Sequence, residues 1–261
     1  MSDIEKLISL LKNNAKLVAM LAPSFPVMYE LKEIVSKLRS IGFSKVVEVA
    51  VGAKKTNEQT INILKNNPNT RFITSPCAGF VRFMRTKHPD LLHYVALEVD
   101  SPMAATTKIV KENWPDNQPV FIGPCLVKKL EASENNPQLN ILVLTYKELE
   151  TVIASPDLIG TRDGRNVSFD LEEKSTRIYP IDGGLTDSSG AKNLLTPEEI
   201  RTVSGWKNCE LALQEFEQNK KIRLLDVLFC DGGCIMGPGI ESKLTLEERK
   251  KKILAYAEPP R

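Results

Sequence analysis

Three of the five cysteines end short apolar segments, with glycine or proline beside them, and a fourth follows the last of these by four residues. They are Cys77, Cys125, Cys230 and Cys234. In parallel α/β sheets, binding sites form at the carboxyl ends of strands. Glycine lets the backbone approach a bound group closely, and thiolates are ligands of zinc and of iron–sulfur clusters. The pattern therefore indicates a metal site built from four thiols.

The spacing of these cysteines bears on which metal they hold. Four thiolates suit either structural zinc or a 4Fe–4S cubane. Structural zinc is commonly held by two close pairs of ligands, whereas here only Cys230 and Cys234 form a close pair. This spacing favours an iron–sulfur cluster in a cleft, although a C-x-x-x-C pair alone is only moderately specific. Cys209, inside a predicted helix, is interpreted as a buried packing residue, and we expect it to lie away from the other four.

The composition argues against several classes of partner. The chain has 261 residues, of which 42% are hydrophobic and 26% charged, and a formal net charge of +2. This balance predicts no nucleic-acid partner and no binding to an acidic membrane surface. No apolar run approaches the roughly 20 residues that span a bilayer, and the N-terminus lacks the features of a signal peptide. We therefore expect a cytoplasmic protein without a membrane partner.

Alternating apolar segments predict the elements that would position the thiols. Strands are predicted at residues 17–21, 46–51, 71–74, 120–122, 141–144, 178–179 and 224–229. Helices are predicted at residues 27–41 and 57–66, within 78–114, and after the capping sequences at Thr196 and Thr245. Residues 155–195 are interpreted as an irregular crossover.

Strand–helix–strand order with short loops predicts the fold class. We expect an α/β fold with two lobes of mixed, largely parallel β-sheet flanked by helices, and the metal site in the cleft between them. The whole chain, residues 1–261, is interpreted as one domain. Its N-terminal lobe is placed at residues 15–115, with the first cysteine, and the remaining lobe at 116–261, with the other three.

Three segments around the cysteines resemble the catalytic, H-cluster domain of iron-only (FeFe) hydrogenases. They are residues 74–80 (TSPCAGF), 123–132 (GPCLVKKLEA) and 230–239 (CDGGCIMGPG). Each motif alone is weak, but the three in order are highly specific, and the resemblance extends from about residue 17 to residue 240. Within that family the chain is most similar to the sensory hydrogenases. The two-lobed fold of the family agrees with the prediction from the strand pattern.

The resemblance implies a cofactor and roles for individual residues. The four cysteines would hold a 4Fe–4S cluster, and Cys234 would also bridge to the diiron subsite that completes the H-cluster. Lys128 matches the family lysine that pairs with a cyanide ligand of that subsite. Ser101 matches a serine of the family's proton path, although an N-cap of a helix beginning at Pro102 explains it equally well. The implied partners are H2, protons and a ferredoxin-like electron-transfer module or domain, with a possible signalling domain.

Several positions depart from the family pattern. Pro76 stands where active members have a cysteine that relays protons, and Gln59 and Ile63 stand where carboxylates continue that relay. Methionines that pack on the diiron subsite are replaced by Gly123 and Leu228. Because a positioned acid–base group contributes about 10²–10⁴ in rate, we expect low turnover and a regulatory, hydrogen-sensing role.

Two alternative functions remain open at this point. The first is a non-enzymatic iron–sulfur carrier, similar to the hydrogenase-related proteins of cytosolic cluster assembly, which share the fold without the diiron subsite. Retention of Lys128 favours the hydrogenase interpretation over this one. The second is a zinc-stabilised interaction domain, which the ligand spacing disfavours.

Overall fold

The computed structural model describes residues 1–158 and 164–258. Within these ranges the strands are β1 Leu17–Leu21, β2 Lys45–Glu48, β3 Phe72–Ile73, β4 Gln118–Gly123, β5 Leu142–Thr145, β6 Ile200–Ser204 and β7 Leu224–Leu228. The α-helices are α1 Asp3–Lys12, α2 Leu31–Ser40, α3 Ala50–Asn66, α4 Ala78–Lys87, α5 Pro102–Asn113, α6 Lys128–Leu130, α7 Tyr146–Ile153, α8 Gly184–Ser189, α9 Trp206–Gln218 and α10 Leu246–Ala257. Helix α6 continues into a π-helical turn, Glu131–Asn135. In the described ranges, no helix has both the length and the apolar character needed to cross a membrane.

The strands form two parallel sheets. One has the order β2-β1-β4-β5 and the other the order β3-β7-β6. Strand β1, Leu17–Leu21, is buried at all five positions because helices cover both faces of its sheet. These sheets and their flanking helices confirm the predicted α/β class.

Both sheets draw strands from either side of residue 115. The short strand β3 pairs with β7, which comes much later in the sequence, while β4 pairs with the early strand β1. The predicted lobe boundary near residue 115 therefore does not coincide with a division between the sheets. Because the chain passes back and forth, the ends of β3, β4 and β7 can meet at one place.

Two of the predicted elements are wrong. Residues 178–179, expected as a strand, lie in a run of turns. At Thr196 the capping box forms, with the Glu199 carboxylate 3.0 Å from the Thr196 hydroxyl, but only a single 3-10 turn follows. Strand β6 then begins at Ile200 and pairs with β7, so the sheet satisfies the backbone groups that a helix would otherwise have used.

Several other predicted elements are present with different bounds. The strand expected at residues 46–51 ends at Glu48, and helix α3 begins at Ala50. The helical stretch expected within residues 78–114 is divided into α4 and α5. The prediction of a helix after Thr245 is confirmed, since α10 starts there with a complete capping box.

Helices α3 and α5 pack closely against each other and together form one wall of the site described below. A Cβ atom added at Gly52 would lie 2.2 Å from the Thr106 hydroxyl oxygen and 2.3 Å from the Pro102 carbonyl oxygen. Glycine at this position thus permits a backbone approach that no larger residue allows.

We expect Gly52→Ala to lower the free energy of unfolding by about 1–3 kcal/mol, the usual cost of overpacking a core contact. Gly79→Ala is the matched control, because its added Cβ would meet the Phe229 side chain at an ordinary 3.4 Å. The control should be neutral or more stable by up to about 1 kcal/mol, since alanine favours a helix. Urea denaturation measures both, and equal midpoints for the two variants would contradict this account of the α3–α5 contact.

Candidate metal centre

The four cysteines occupy three loops that follow strand ends. Cys77 is the N-cap residue of α4, soon after β3. Cys125 lies two residues beyond the end of β4, and Cys230 two residues beyond the end of β7. Cys234 begins a 3-10 turn, Cys234–Met236. The local sequence therefore delivers each thiol from a strand end or from the turn that follows it.

Glycines shape the loop that carries the close pair. Gly232 and Gly233 have φ angles of +79° and +87°, which L side chains rarely adopt. The Gly233 N–H donates to the Cys230 carbonyl at 3.0 Å and turns the chain back on itself. Further on, the Gly239 N–H donates to the Pro124 carbonyl at 2.8 Å. This bond ties the third cysteine motif to the second.

The loops bring the thiols around one narrow cavity. Its volume is about 90 Å³, and its walls are mostly apolar. Cys77, Cys125 and Cys234 line the cavity. Cys230 lies close enough to Cys77 and Cys125 that their charges raise its pKa. The structure therefore brings all four predicted residues together.

Cys209 has a different setting. It is fully buried on α9 in the core around the second sheet, with its sulfur 3.6 Å from the Leu228 carbonyl oxygen, and it is not among the cavity-lining residues. Burial, followed by the nearby charge of Cys77, raises its pKa to about 12. Cys209 therefore lies within reach of the charge of Cys77 but outside the cavity.

Burial and mutual repulsion disfavour the thiolate forms around the cavity. Burial raises the pKa of the Cys230 thiol to about 12, with smaller contributions from Cys77 and Cys125. The same causes raise the pKa of Cys234 well above its ordinary value, again with burial as the largest. Several thiolates in one apolar space need a compensating positive charge, and a bound metal supplies it while releasing protons.

Backbone amides point at two of the sulfurs. Burial, followed by the charge of Cys77, raises the pKa of Cys125. The N–H groups of Lys128 and Val127 donate to Cys125 and act in the opposite direction, lowering that pKa. The Phe229 nitrogen lies 3.4 Å from the Cys77 sulfur. Amide donors to cysteine sulfur are one of the means by which proteins tune iron–sulfur clusters.

The donor set fits a cluster better than a single ion. Within residues 1–158 and 164–258, no group of three or more His, Cys, Asp or Glu side chains is arranged to hold one metal ion. A cubane differs because each of its four thiolates binds a different iron atom. Four thiols from three loops, with amides directed at two of their sulfurs, match that requirement.

A buried ion pair closes one side of the cavity. The Lys128 ammonium, which lines the cavity, donates to the Glu131 carboxylate at 2.5 Å and to the Pro76 carbonyl at 3.1 Å. The Ser101 hydroxyl donates to the other Glu131 oxygen. The same hydroxyl caps α5 by accepting from the Ala104 N–H at 3.3 Å. Ser101 itself faces a separate polar pocket of about 340 Å³ rather than the cavity.

The sequence reasoning missed two carboxylates at the site. Glu131 lies three residues after Lys128, a spacing that predicts a helical ion pair and could have revealed it. Asp226 lies on β7, lines the cavity and is only 4% exposed. It accepts from the Thr186 N–H at 3.1 Å and the Thr186 hydroxyl at 2.8 Å, while burial raises its pKa. The sequence signal for Asp226 is a charged residue inside an otherwise apolar strand, which indicates a buried carboxylate with specific partners.

The positions that depart from the family pattern have structural explanations. Gln59 exchanges two hydrogen bonds with Asp100, at 2.7 Å and 3.2 Å, and is not among the cavity-lining residues. Ile63 packs into a small apolar cluster. At Gly123, an added Cβ would lie 2.7 Å from the Phe121 ring, so the aromatic side chain excludes a methionine there. Leu228 does line the cavity.

Comparison with protein families gives one match across most of the chain. The family described as "Iron only hydrogenase large subunit, C-terminal domain" matches residues 15–238. The chain is 24% identical over 262 residues to Iron hydrogenase 1 of Clostridium pasteurianum, covering 79% of this chain and 45% of that protein. It is 22% identical over 278 residues to a probable cytosolic Fe-S cluster assembly factor of Caenorhabditis elegans, covering 85% and 60%. The chain thus spans less than two thirds of either relative.

Solved structures give the same fold. An FeFe-hydrogenase from Chlamydomonas reinhardtii superposes with a TM-score of 0.68 at 17% sequence identity, covering 98% of this chain and 88% of that chain. At this identity the likeness establishes the architecture and leaves the chemistry to the site.

We expect Cys125→Ala or Cys230→Ala to lower sharply the iron content and the cluster absorbance of reconstituted protein, because each variant removes one thiolate bond to metal. Cys209→Ala is the control, since this thiol packs in the core and does not line the cavity. Iron per folded protein and visible absorbance measure the effect. Equal iron in the wild type and in Cys230→Ala would disprove the assignment.

Proposed function

Because this chain belongs to the family formed by the C-terminal domain of iron-only hydrogenases, we propose that it holds an H-cluster and catalyses or senses reversible H2 oxidation and proton reduction. The observation that supports this most strongly is the meeting of four thiols and one buried ammonium at a single cavity. The thiols are the donor set of a 4Fe–4S cluster, and Cys234 would be the residue that also holds a diiron subsite.

Lys128 is proposed to bind an anionic ligand of that subsite. An ammonium has three donors, and two of those of Lys128 are taken by Glu131 and the Pro76 carbonyl. The third donor is left for the cavity that Lys128 lines. A cyanide ligand has the charge and the acceptor nitrogen that this donor would recognise.

The protein's own contribution is to hold, shield and orient the cofactor. When bound, the H-cluster supplies the electron store and the metal site at which the H–H bond is made or broken. The apolar walls of the cavity limit the access of water, and Glu131 fixes the position of the Lys128 ammonium beside them. Pro76, beside Cys77 in the wall, offers no side-chain group that could move a proton.

This missing group is the basis for proposing low turnover and a regulatory role. A positioned acid–base residue contributes about 10²–10⁴ in rate, and the chain has a proline at that place. A hydrogen sensor needs to bind and react slowly rather than turn over fast. The proposed partners are accordingly H2, protons, an electron-transfer module of ferredoxin type, and a signalling domain that reads the state of the cluster.

The alternative function is a non-enzymatic iron–sulfur carrier. The similarity to a cluster assembly factor over 85% of this chain favours it, as does the proline at position 76. Such a carrier needs the four thiols but has no use for a cation aimed at a diiron ligand. The buried Lys128–Glu131 pair is therefore the feature that favours the hydrogenase proposal.

Maturation with a diiron precursor separates the two functions. We expect the treated protein to show carbonyl and cyanide bands in the infrared, and Lys128→Met to shift or remove the cyanide bands because the ammonium donor is lost. Lys129→Met is the control, since Lys129 is paired with Asp3 and Glu148 and does not line the cavity. A protein that takes up a cubane but never shows these bands would instead be a carrier.

The proline at position 76 gives a second test. We expect Pro76→Cys in matured protein to raise H2 turnover by up to about 10²–10⁴, because a thiol can relay a proton and proline cannot. The infrared signature of the cluster should not change. Pro76→Ala is the control for altered backbone shape, since it removes the ring without adding an acid–base group. Hydrogen evolution from a chemical reductant, normalised to matured cluster, measures the effect.

Two outcomes would count against this account of turnover. A gain in Pro76→Ala equal to that in Pro76→Cys would show that shape, not proton transfer, is limiting. High turnover in the unmodified protein would show that protons reach the site by another route, and the regulatory proposal would fail.

A further inference from the structure

The C-terminal helix α10 lies outside the residues that match the family, yet it is packed against the candidate metal centre. The family match ends at residue 238, and α10 spans Leu246–Ala257. Only two residues in this helix, Arg249 and Ile253, are buried, and Arg249 is 7% exposed. A buried guanidinium is uncommon and requires a compensating set of acceptors.

Arg249 finds its acceptors in the loop that follows Cys234. It donates to the carbonyl oxygens of Ile235 at 2.8 Å, Ser242 at 2.6 Å and Leu244 at 2.9 Å. The planar guanidinium holds its donors in a fixed fork, so three simultaneous bonds fix the relative positions of these carbonyls. Arg249 therefore joins α10 to the residue next to Cys234.

Ile235 is held from both sides. It is fully buried, and its N–H donates to the Pro180 carbonyl at 3.3 Å while its own carbonyl accepts from Arg249. The first residue of α10 adds a second contact, because a Cβ atom at Gly232 would lie 2.7 Å from the Leu246 side chain. The loop between the two close cysteines is thus packed against the beginning of α10.

The other end of α10 is fixed to the first sheet. The Tyr256 hydroxyl donates to the buried Glu48 carboxylate, and the Tyr256 ring packs edge-on against Phe25 with 4.9 Å between ring centroids. The Arg177 guanidinium lies 4.2 Å from the centroid of the Tyr256 ring. Both ends of the helix are therefore held, and the helix connects the first sheet to the Cys234 turn.

We propose that Arg249 is a positioning residue for Cys234, and that docking of α10 controls how firmly the cluster is retained. This inference rests on the proposed function only in taking Cys234 as a cluster ligand. Without Arg249, the Ile235 carbonyl loses its donor, and the turn that presents the thiol is no longer fixed. A positive charge near the cluster is lost at the same time.

Two measurable consequences follow for holoprotein. Groups that orient metal ligands are typically worth 10–100-fold in metal affinity, so Arg249→Met should lose its cluster to a chelator about 10–100-fold faster than wild type. The reduction potential of the cluster should also fall, because a nearby cation favours the reduced, more negative form. Lys251→Met, an exposed charge on the same helix, is the matched control and should change neither.

The experiment uses the 261-residue chain reconstituted with iron and sulfide. Bleaching of cluster absorbance in excess chelator gives the loss rate, a redox titration gives the potential, and thermal melting followed by circular dichroism gives the stability. Tyr256→Phe serves as a second comparison, since it weakens the far end of α10 without touching the Cys234 turn. Arg249→Lys retains the positive charge, so its cluster should have the reduction potential of the wild type. It should still lose the cluster faster than the wild type, because lysine cannot make all three hydrogen bonds in the same geometry.

The outcomes separate this inference from the proposed function. Wild-type protein that takes up no cluster would overturn the proposed function. If the wild type holds a stable cluster and Arg249→Met has the same rate of cluster loss and the same reduction potential, Arg249 does not position Cys234. If Arg249→Met does not fold, the positioning role is tested with Arg249→Lys instead. It should lose cluster faster than Tyr256→Phe at equal melting temperature, and loss that only follows the melting temperature would reduce Arg249 to a stabilising contact.

Discussion

The mutual repulsion of buried thiolates at the junction of two sheets is the constraint on which the rest of the structure depends. Burial raises the pKa values of Cys125, Cys230 and Cys234, and the nearby charge of Cys77 raises them further. Charged thiolates cannot accumulate there unless a metal compensates them. The amides directed at Cys77 and Cys125 would stabilise sulfur that carries negative charge.

The topology explains how four distant residues satisfy that constraint. Because β3 belongs to the sheet of β7 while β4 belongs to the sheet of β1, each sheet delivers thiols from its own strand ends to the same gap. The bond between Gly239 and Pro124 and the contact of Gly52 with α5 then fix the walls relative to each other. Neither sheet could form the site alone, so its assembly requires the packed fold.

Residue patterns predict the site better than they predict the elements around it. Strand β1 is predicted to the residue, and the cysteine positions follow from apolar runs ended by glycine or proline. Strand β6 is missed because its capping box at Thr196 forms as expected but is followed by pairing with β7, a tertiary interaction that no local pattern encodes. The ligand role of the cysteines and the part played by Ser101 stay predictions.

The proposed function separates cofactor binding from proton delivery at position 76. Pro76 removes a side-chain group, but its carbonyl still accepts from Lys128, because a backbone acceptor does not depend on the side chain. The contact that orients the cation toward the cavity therefore survives a change that deletes the acid–base group. At Gly123 the side chain is also absent, and the Phe121 ring occupies the space that a larger side chain would need. Under the proposed function, such a site would hold a cluster without a side-chain acid–base group at position 76, which is the combination that the proposed sensor or carrier requires.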